Sequence, residues 1–501
     1  MVFFAGIDLG TSGLRVVLLD EHGRVRGAAT AGYPIHTPAP GVAEQSPEDW
    51  WNALRVAFAG ALGAAGSTGA QVAALGLSGQ MHGIVALDGT GAPLRPALIW
   101  ADQRGAAEVA QIEALVAREE LLAISGSRAS TGFSAPKILW LRRHEPDTFA
   151  RCRLLLQPKD YLGLRLTGIA ASEPTDASAT LLFDQARRDW SDVLLERLDI
   201  PRDLLPALLP SLGLRGPLLA GPAAELGLPP SIPVIGGAGD TPCQAAAYGG
   251  LRPGTLLATI SSGGQLLAAT GTPLTDPQGR IHTLCHVLPQ RWYLLGAIQA
   301  AGLGLSWLRD LWGDKAPPSY DALLAEAAAV PPGADGLFFL PYLLGERTPH
   351  MDNSARAAFV GLTLRHGRPA MVRAVLEGVA FAFRDGLKVF RDLGLRTETV
   401  RLGGGGSRSP LWQQIMADVL GAPVELTDAE HGAALGAALI AGVGAGAFPD
   451  LEQAAAQAVR TTATIAPDPA RVARYDTLYP LFRNLYPSLH AHFAALGGTE
   501  L

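Results

Sequence analysis

Short apolar runs broken by clusters of Gly, Ser, Thr and Asp recur along this chain. Phe3 to Leu9 is such a run, Gly10-Thr11-Ser12-Gly13 reads as a turn, and Leu14 to Leu19 reads as the returning strand. Asp20-Glu21-His22-Gly23 predicts a second turn and Arg24 to Thr30 a third strand. The period then changes. Ser46-Pro47-Glu48-Asp49 is a helix-start signal, with Ser46 at the N-cap, Pro47 at the first helical position and Asp49 at the capping-box place. Trp50, Trp51, Leu54 and Phe58 follow at helical spacing. Val72 to Leu77 predicts the next strand, running into Ser78-Gly79-Gln80-Met81-His82-Gly83, and Ala97 to Trp100 a further one.

The strand, small-polar turn, strand pattern returns in the second half. Gly254 to Ile260 predicts a strand, Ser261-Ser262-Gly263-Gly264 a turn, and Gln265 to Thr270 the return. Just before it, Val234 to Asp240 is a short strand ending in glycines and one acid, followed by a helix over Thr241 to Tyr248. Thr399 to Leu402 predicts a strand, Gly403 to Gly406 a glycine loop, and Ser409-Pro410 the start of a helix. The two hairpins predict two related α/β domains, divided here into 1–247 and 248–501.

Composition narrows the reading. At roughly 150 residues per domain, 501 residues allow two to four domains. The 46 acids and 40 bases give a net charge of −6, with both signs interspersed, which excludes a nucleic-acid surface and a polybasic membrane patch. Cys152, Cys243 and Cys285 have neither disulfide nor zinc spacing and fit a reducing compartment. The N-terminus lacks a basic region and meets Asp8 early, unlike a signal peptide. The run Gly432 to Phe448 is shorter than the roughly 20 residues of a membrane span and predicts a buried helix. A cytoplasmic protein is expected.

A tight turn between strands aims successive N–H groups into one space, where phosphate oxygens bind well. Asp8 beside such a turn would repel phosphates unless Mg²⁺ lay between them. An ordinary β-turn with a surface acid is the alternative. The loop at Gly403–Gly406 lacks the third glycine of a dinucleotide fingerprint, and none of Lys137, Lys159, Lys315 and Lys388 follows a glycine, so there is no Walker A loop. Asp240, at a strand end before a helix, could accept a hydroxyl proton as the oxygen attacks phosphorus, or simply cap the helix.

Taken in order, Gly6 to Gly13, Gly79 to Gly83, Trp100 to Arg104, Pro158-Lys159-Asp160-Tyr161, Gly237 to Asp240, Gly345-Glu346-Arg347-Thr348-Pro349-His350 and Gly403 to Ser407 make the chain resemble the FGGY carbohydrate kinases, most closely their bacterial xylulokinase branch. The resemblance implies an α/β fold of two actin-like (ribonuclease H-like) ATPase domains with the active site in the cleft between them. It implies ATP and Mg²⁺ as cofactors and a small sugar as partner, with a homodimer left open. Asp240 would be the catalytic base. Asp8 would be a second catalytic acid, associated with Mg²⁺. Gly10, Thr11 and Ser12 would form one phosphate loop and Ser261, Ser262 and Gly263 the other. Gly404, Gly405 and Ser407 would receive adenosine. Met81, His82, Trp100 and Thr241 would line the sugar pocket, where glycerol kinases carry Arg-Glu in place of Met81-His82.

Two positions depart from the family pattern. The second phosphate loop carries Ser261 where glycine is usual, and Thr241 stands where these xylulokinases carry Asn. The second departure leaves D-xylulose, another ketopentose and a polyol as acceptors. The first leaves a non-catalytic sugar-binding protein as the reading from another class.

Overall fold

A computed structural model describes residues 1–312 and 317–497, so Lys315 lies outside the described residues. The first sheet is built from β1 (Phe3–Leu9), β2 (Gly13–Asp20), β3 (Val25–Gly32), β4 (Val72–Gly79), β5 (Leu214–Pro217) and β6 (Pro233–Gly239). Its order is β5-β6-β4-β1-β2-β3, with β1, β4 and β6 parallel to one another and β2, β3 and β5 antiparallel to their neighbours. The second sheet takes β7 (Thr255–Ile260), β8 (Gly264–Thr270), β9 (His282–Cys285), β10 (Trp292–Ile298), β11 (Thr399–Gly403), β12 (Val424–Thr427) and β13 (Thr461–Ile465). Its order is β9-β10-β8-β7-β11-β12-β13. The run β10-β8-β7-β11-β12 repeats β3-β2-β1-β4-β6 in direction as well as order. The hairpin repeat read from the sequence is therefore a repeat of sheet topology.

Five helices matter for the site: α1 (Pro47–Ala64), α2 (Pro158–Thr167), α3 (Pro174–Ser178), α4 (Asp240–Ala247) and α5 (Gly432–Gly444). Alternation along β1 sends Phe3, Ala5, Ile7 and Leu9 into a core shared with Trp50, Leu54 and Phe58 of α1. Phe4 faces the other way, into a core shared with α5. Pro47 opens α1 as expected, but Ser46 makes no side-chain cap bond, and its carbonyl accepts the Asp49 amide at 3.1 Å. The proline-rich stretches 201–233 and 317–332 hold regular elements, namely β5 and helices Ala220–Leu226 and Tyr320–Ala328.

The alanine- and glycine-rich run after His431 forms a helix, and most of its residues are buried. It belongs to the C-terminal half, yet it lies on the first sheet and against α4. Small residues make that approach possible. A Cβ on Gly6 would lie 2.0 Å from the Ala434 carbonyl oxygen, one on Gly76 2.1 Å from that of Ala437, and one on Gly436 1.9 Å from that of Cys243. Among the described residues no helix is long and apolar enough to cross a membrane.

A methyl group at Gly76 therefore forces α5 off the sheet. Gly76→Ala is expected to lower the urea unfolding midpoint, at a cost of about 1–3 kcal/mol from overpacking. An unchanged midpoint followed by circular dichroism would show that α5 does not sit this close to β4.

Candidate active site

Parallel strands that end together gather their loops at one edge, where ligands of open α/β sheets bind. In the first sheet Asp8 pairs in register with Ser78, Leu9 with Gly79, and Gly239 with Gly79. Asp8 and Asp240 thus stand at neighbouring strand ends. In the second sheet Thr259 pairs with Gly403, which sets the turn after β7 beside the glycine loop after β11.

Asp240 is the first residue of α4, and Gly239 occupies the cap position, so the N-cap alternative does not describe it. One carboxylate oxygen, Oδ1, accepts the Thr241 amide at 2.7 Å and the Thr241 hydroxyl at 3.3 Å. Burial, and after it the charge of Asp8, push its pKa up to about 7. Asp8 accepts the Ser78 hydroxyl at 2.8 Å, and burial raises its pKa against the opposing pull of Ser78 and Arg15. Ser78 is the sole hydrogen-bond donor to the Asp8 carboxylate among the described residues. That leaves a hard oxygen donor free, as suits Mg²⁺, which keeps several waters and takes one or two carboxylates along with phosphates. No group of three or more His, Cys, Asp or Glu side chains with metal-holding geometry occurs among the described residues.

A cavity of ≈ 520 Å³ brings together six of the residues expected from the sequence: Thr11, Met81, His82, Trp100, Asp240 and Thr241. Trp100 does not end a strand. The strand stops at Leu98, and the 40% exposed indole reaches back to donate to the Thr11 hydroxyl at 2.9 Å. Met81 is buried against Gly239. His82 has a φ of 69° and places Nδ1 2.8 Å from the Ala179 carbonyl oxygen. A carbonyl can only accept, so Nδ1 carries the proton. Burial holds the ring neutral, with a pKa lowered to about 4, which leaves Nε2 an acceptor for a ligand hydroxyl. Phe133 meets the His82 ring edge-on at 4.7 Å.

The remaining expected loop residues lie outside that cavity, in two places. In the first turn Gly10 donates its amide to Gly13 at 3.1 Å, Tyr33 donates to the Gly10 carbonyl, and Ser12 is exposed. In the second turn Ser261 and Ser262 are exposed, and their carbonyls accept the amides of Gly302 and Leu303 at 2.8 and 3.0 Å. The backbone at Ser261 is outside the left-handed region, so glycine is not required there. Gly404, with φ 81°, lies against the Ile260 carbonyl, where a Cβ would stand 2.5 Å from its oxygen. The Ser407 hydroxyl donates back to the Gly404 carbonyl at 2.7 Å, and Gly405 faces open space. Ser261, Ser262, Gly263, Gly404, Gly405 and Ser407 thus gather at the ends of β7 and β11.

Sequence reasoning assigned no role to Arg128, Phe133, Gln265, His282, Glu346 or Arg347, all of which line the cavity. Glu346 accepts the amides of Gln299 and Arg347 at 2.9 and 2.8 Å, and burial pushes its pKa up to about 8. Its place in the Gly345–His350 string was a signal for it. Gln265 and His282 gave none, because their facing depends on the order of β8, β10 and β9.

Comparison with known proteins agrees over the whole length. The N-terminal domain of the FGGY family of carbohydrate kinases matches residues 3–249, and the C-terminal domain of that family matches residues 259–445. The xylulose kinase of Escherichia coli (strain K12) is 40% identical over 487 residues, covering 97% of this chain and 99% of that protein. The crystal structure of xylulose kinase from Rhodospirillum rubrum superposes with a TM-score of 0.92 at 35% identity, over 98% of this chain and 100% of that one. That of gluconate kinase from Lactobacillus acidophilus gives 0.94 at 25% identity, over 99% of each chain. The fold is thus the two-domain actin-like ATPase fold.

A carboxyl that titrates near neutrality has a readable consequence. Below its pKa Asp240 is protonated and cannot accept a hydroxyl proton; above it the carboxylate can. The kcat/KM for the acceptor should therefore rise with pH along an acid limb above the ordinary carboxylate range, the group itself standing at about 7 in the ligand-free protein. An acid limb near 4 would show that neither burial nor Asp8 perturbs the group.

Proposed function

Because this chain belongs to the FGGY family of carbohydrate kinases, we propose that it transfers the γ-phosphoryl group of ATP to the terminal hydroxyl of D-xylulose, with Asp240 as the base. The observation that supports this best is a carboxylate poised near neutrality in the same cavity as Met81, His82 and Trp100. The acceptor oxygen attacks phosphorus, the O–H proton passes to Asp240, and the bond from phosphorus to the β,γ-bridging oxygen breaks to release ADP. In a loose transition state the proton leaves late, so Asp240 chiefly orients the hydroxyl. The furanose ring of D-xylulose consumes the terminal hydroxyl, so the open-chain ketose is the acceptor. His82 Nε2 accepts from one of its hydroxyls, and the Trp100 ring covers the mouth.

Residues 1–247 then carry Asp240, Met81, His82, Trp100, Thr241 and the loop Gly10-Thr11-Ser12, and Gln265, His282, Glu346 and Arg347 from 248–501 line the other side of the acceptor pocket. Residues 248–501 carry Ser261-Ser262-Gly263 and the adenosine platform Gly404, Gly405 and Ser407. The two turns would offer phosphate oxygens the backbone N–H groups left over once those of Gly10 and Ser261 have bonded the Gly13 and Gly263 carbonyls. Asp8 is the residue that would hold Mg²⁺, directly or through water, and the ion would neutralise the phosphates. Closure of the halves would exclude water and so spare ATP from hydrolysis. The cytoplasm, where ATP is supplied, is the proposed location.

A coupled ADP-release assay over D-xylulose, ribulose, pentitols, glycerol and gluconate tests the acceptor. D-Xylulose should give the highest kcat/KM; turnover of gluconate or a pentitol without D-xylulose would replace it. Asp240→Asn should lower kcat by about 10²–10⁴-fold while sugar binding persists in calorimetry. Undiminished turnover in that variant would remove Asp240 from the mechanism.

A further inference from the structure

The Pro158–Tyr161 segment and the turn of helix α3 take no part in the chemistry above, yet they enclose a cluster of buried charge. Lys159 Nζ lies 2.7 Å from Asp160 Oδ1, 3.2 Å from Asp176 Oδ2 and 3.6 Å from Glu173 Oε1, and Arg215 Nη2 lies 2.8 Å from Asp160 Oδ1. All five side chains are fully enclosed. Buried ion pairs of this kind add little or no stability over an apolar core, so stability alone does not account for the cluster.

Its geometry points to another use. Glu173 caps α3, accepting the amides of Thr175 and Asp176 at 2.9 and 3.0 Å and the Thr175 hydroxyl at 2.6 Å. Having donated its proton to Glu173, the Thr175 hydroxyl presents a lone pair, and the Gly239 amide donates to it at 2.8 Å. Gly239 is the residue before Asp240. From the same turn the Asp176 carbonyl accepts the Gln157 side-chain amide, and Gln157 Oε1 in turn accepts the His82 amide at 2.7 Å. The Ala179 carbonyl, one residue beyond α3, holds His82 Nδ1. Asp240 and His82 come from the ends of different strands and are tied to one helical turn.

We propose that α3, seated on the Lys159 cluster, is the device that fixes Asp240 relative to His82, and that Thr175 is a positioning residue acting through Gly239. This rests on the reading of Asp240 as base. Without the Thr175 hydroxyl the buried Gly239 amide has no acceptor, and the strand end that carries the carboxylate shifts to find one. Displacing a reacting group by about 1 Å costs on the order of 100-fold in rate.

Thr175→Val removes the hydroxyl at constant shape, and Thr175→Ala is the smaller variant to be measured beside it. Either should lower kcat for the sugar by about 10- to 100-fold, with the KM for ATP unchanged. Thr175→Ser, which keeps the acceptor, should recover most of the loss. In an Asp240→Asn background Thr175→Val should cause no further loss, because both act through one carboxylate. A lowered melting temperature with kcat per folded molecule intact would overturn the proposal, as would a full further loss in the Asp240→Asn background. Wild-type turnover in Asp240→Asn alone would instead remove the base, a failure distinct from that of Thr175.

Discussion

The common ending of β1, β4 and β6 is the constraint on which the rest of this molecule depends. Three parallel strands in register put Asp8, Ser78 and the Gly239–Asp240 step along one sheet edge. Burial first, and the charge of Asp8 after it, hold the carboxyl on α4 near neutrality. The chemical character of the site follows from strand register before any ligand is considered.

Helix α5 shows how the two halves are joined around that edge. It descends from the C-terminal sheet but rests on the N-terminal one, against glycines that leave no room for a methyl group. Its contact with α4 reaches the helix that opens with Asp240. Residues of the second half are thereby packed beside the helix that carries the proposed base, and Thr175 of α3 accepts the amide just before it. Asp240 sits between one anchor built from close backbone packing and another built from buried charge.

Much of this was legible in the sequence because punctuation and chemistry coincide there. Gly10 to Gly13 marked a turn, Pro47 marked the start of α1, and an acid after three glycines marked a strand end. Trp100 lines the cavity, but the strand it was expected to end stops at Leu98. A local apolar run cannot show where ladder pairing ends. Ser46 had the right position for a cap without making the bond. The crossing of α5 to the first sheet, and the presence of Gln265 and His282 in the cavity, are long-range facts. They follow from sheet order, to which no single segment bears witness.

The central claim is that the charge of Asp8 helps set the proton affinity of Asp240. The titration of the Asp240 carboxyl, followed by NMR in the metal- and nucleotide-free protein and in Asp8→Asn, measures it directly. Removing that charge should move the Asp240 titration to lower pH than in the unaltered protein. A midpoint at the same pH in both would mean that burial alone raises the group, and would contradict the coupling of the two strand-end carboxylates.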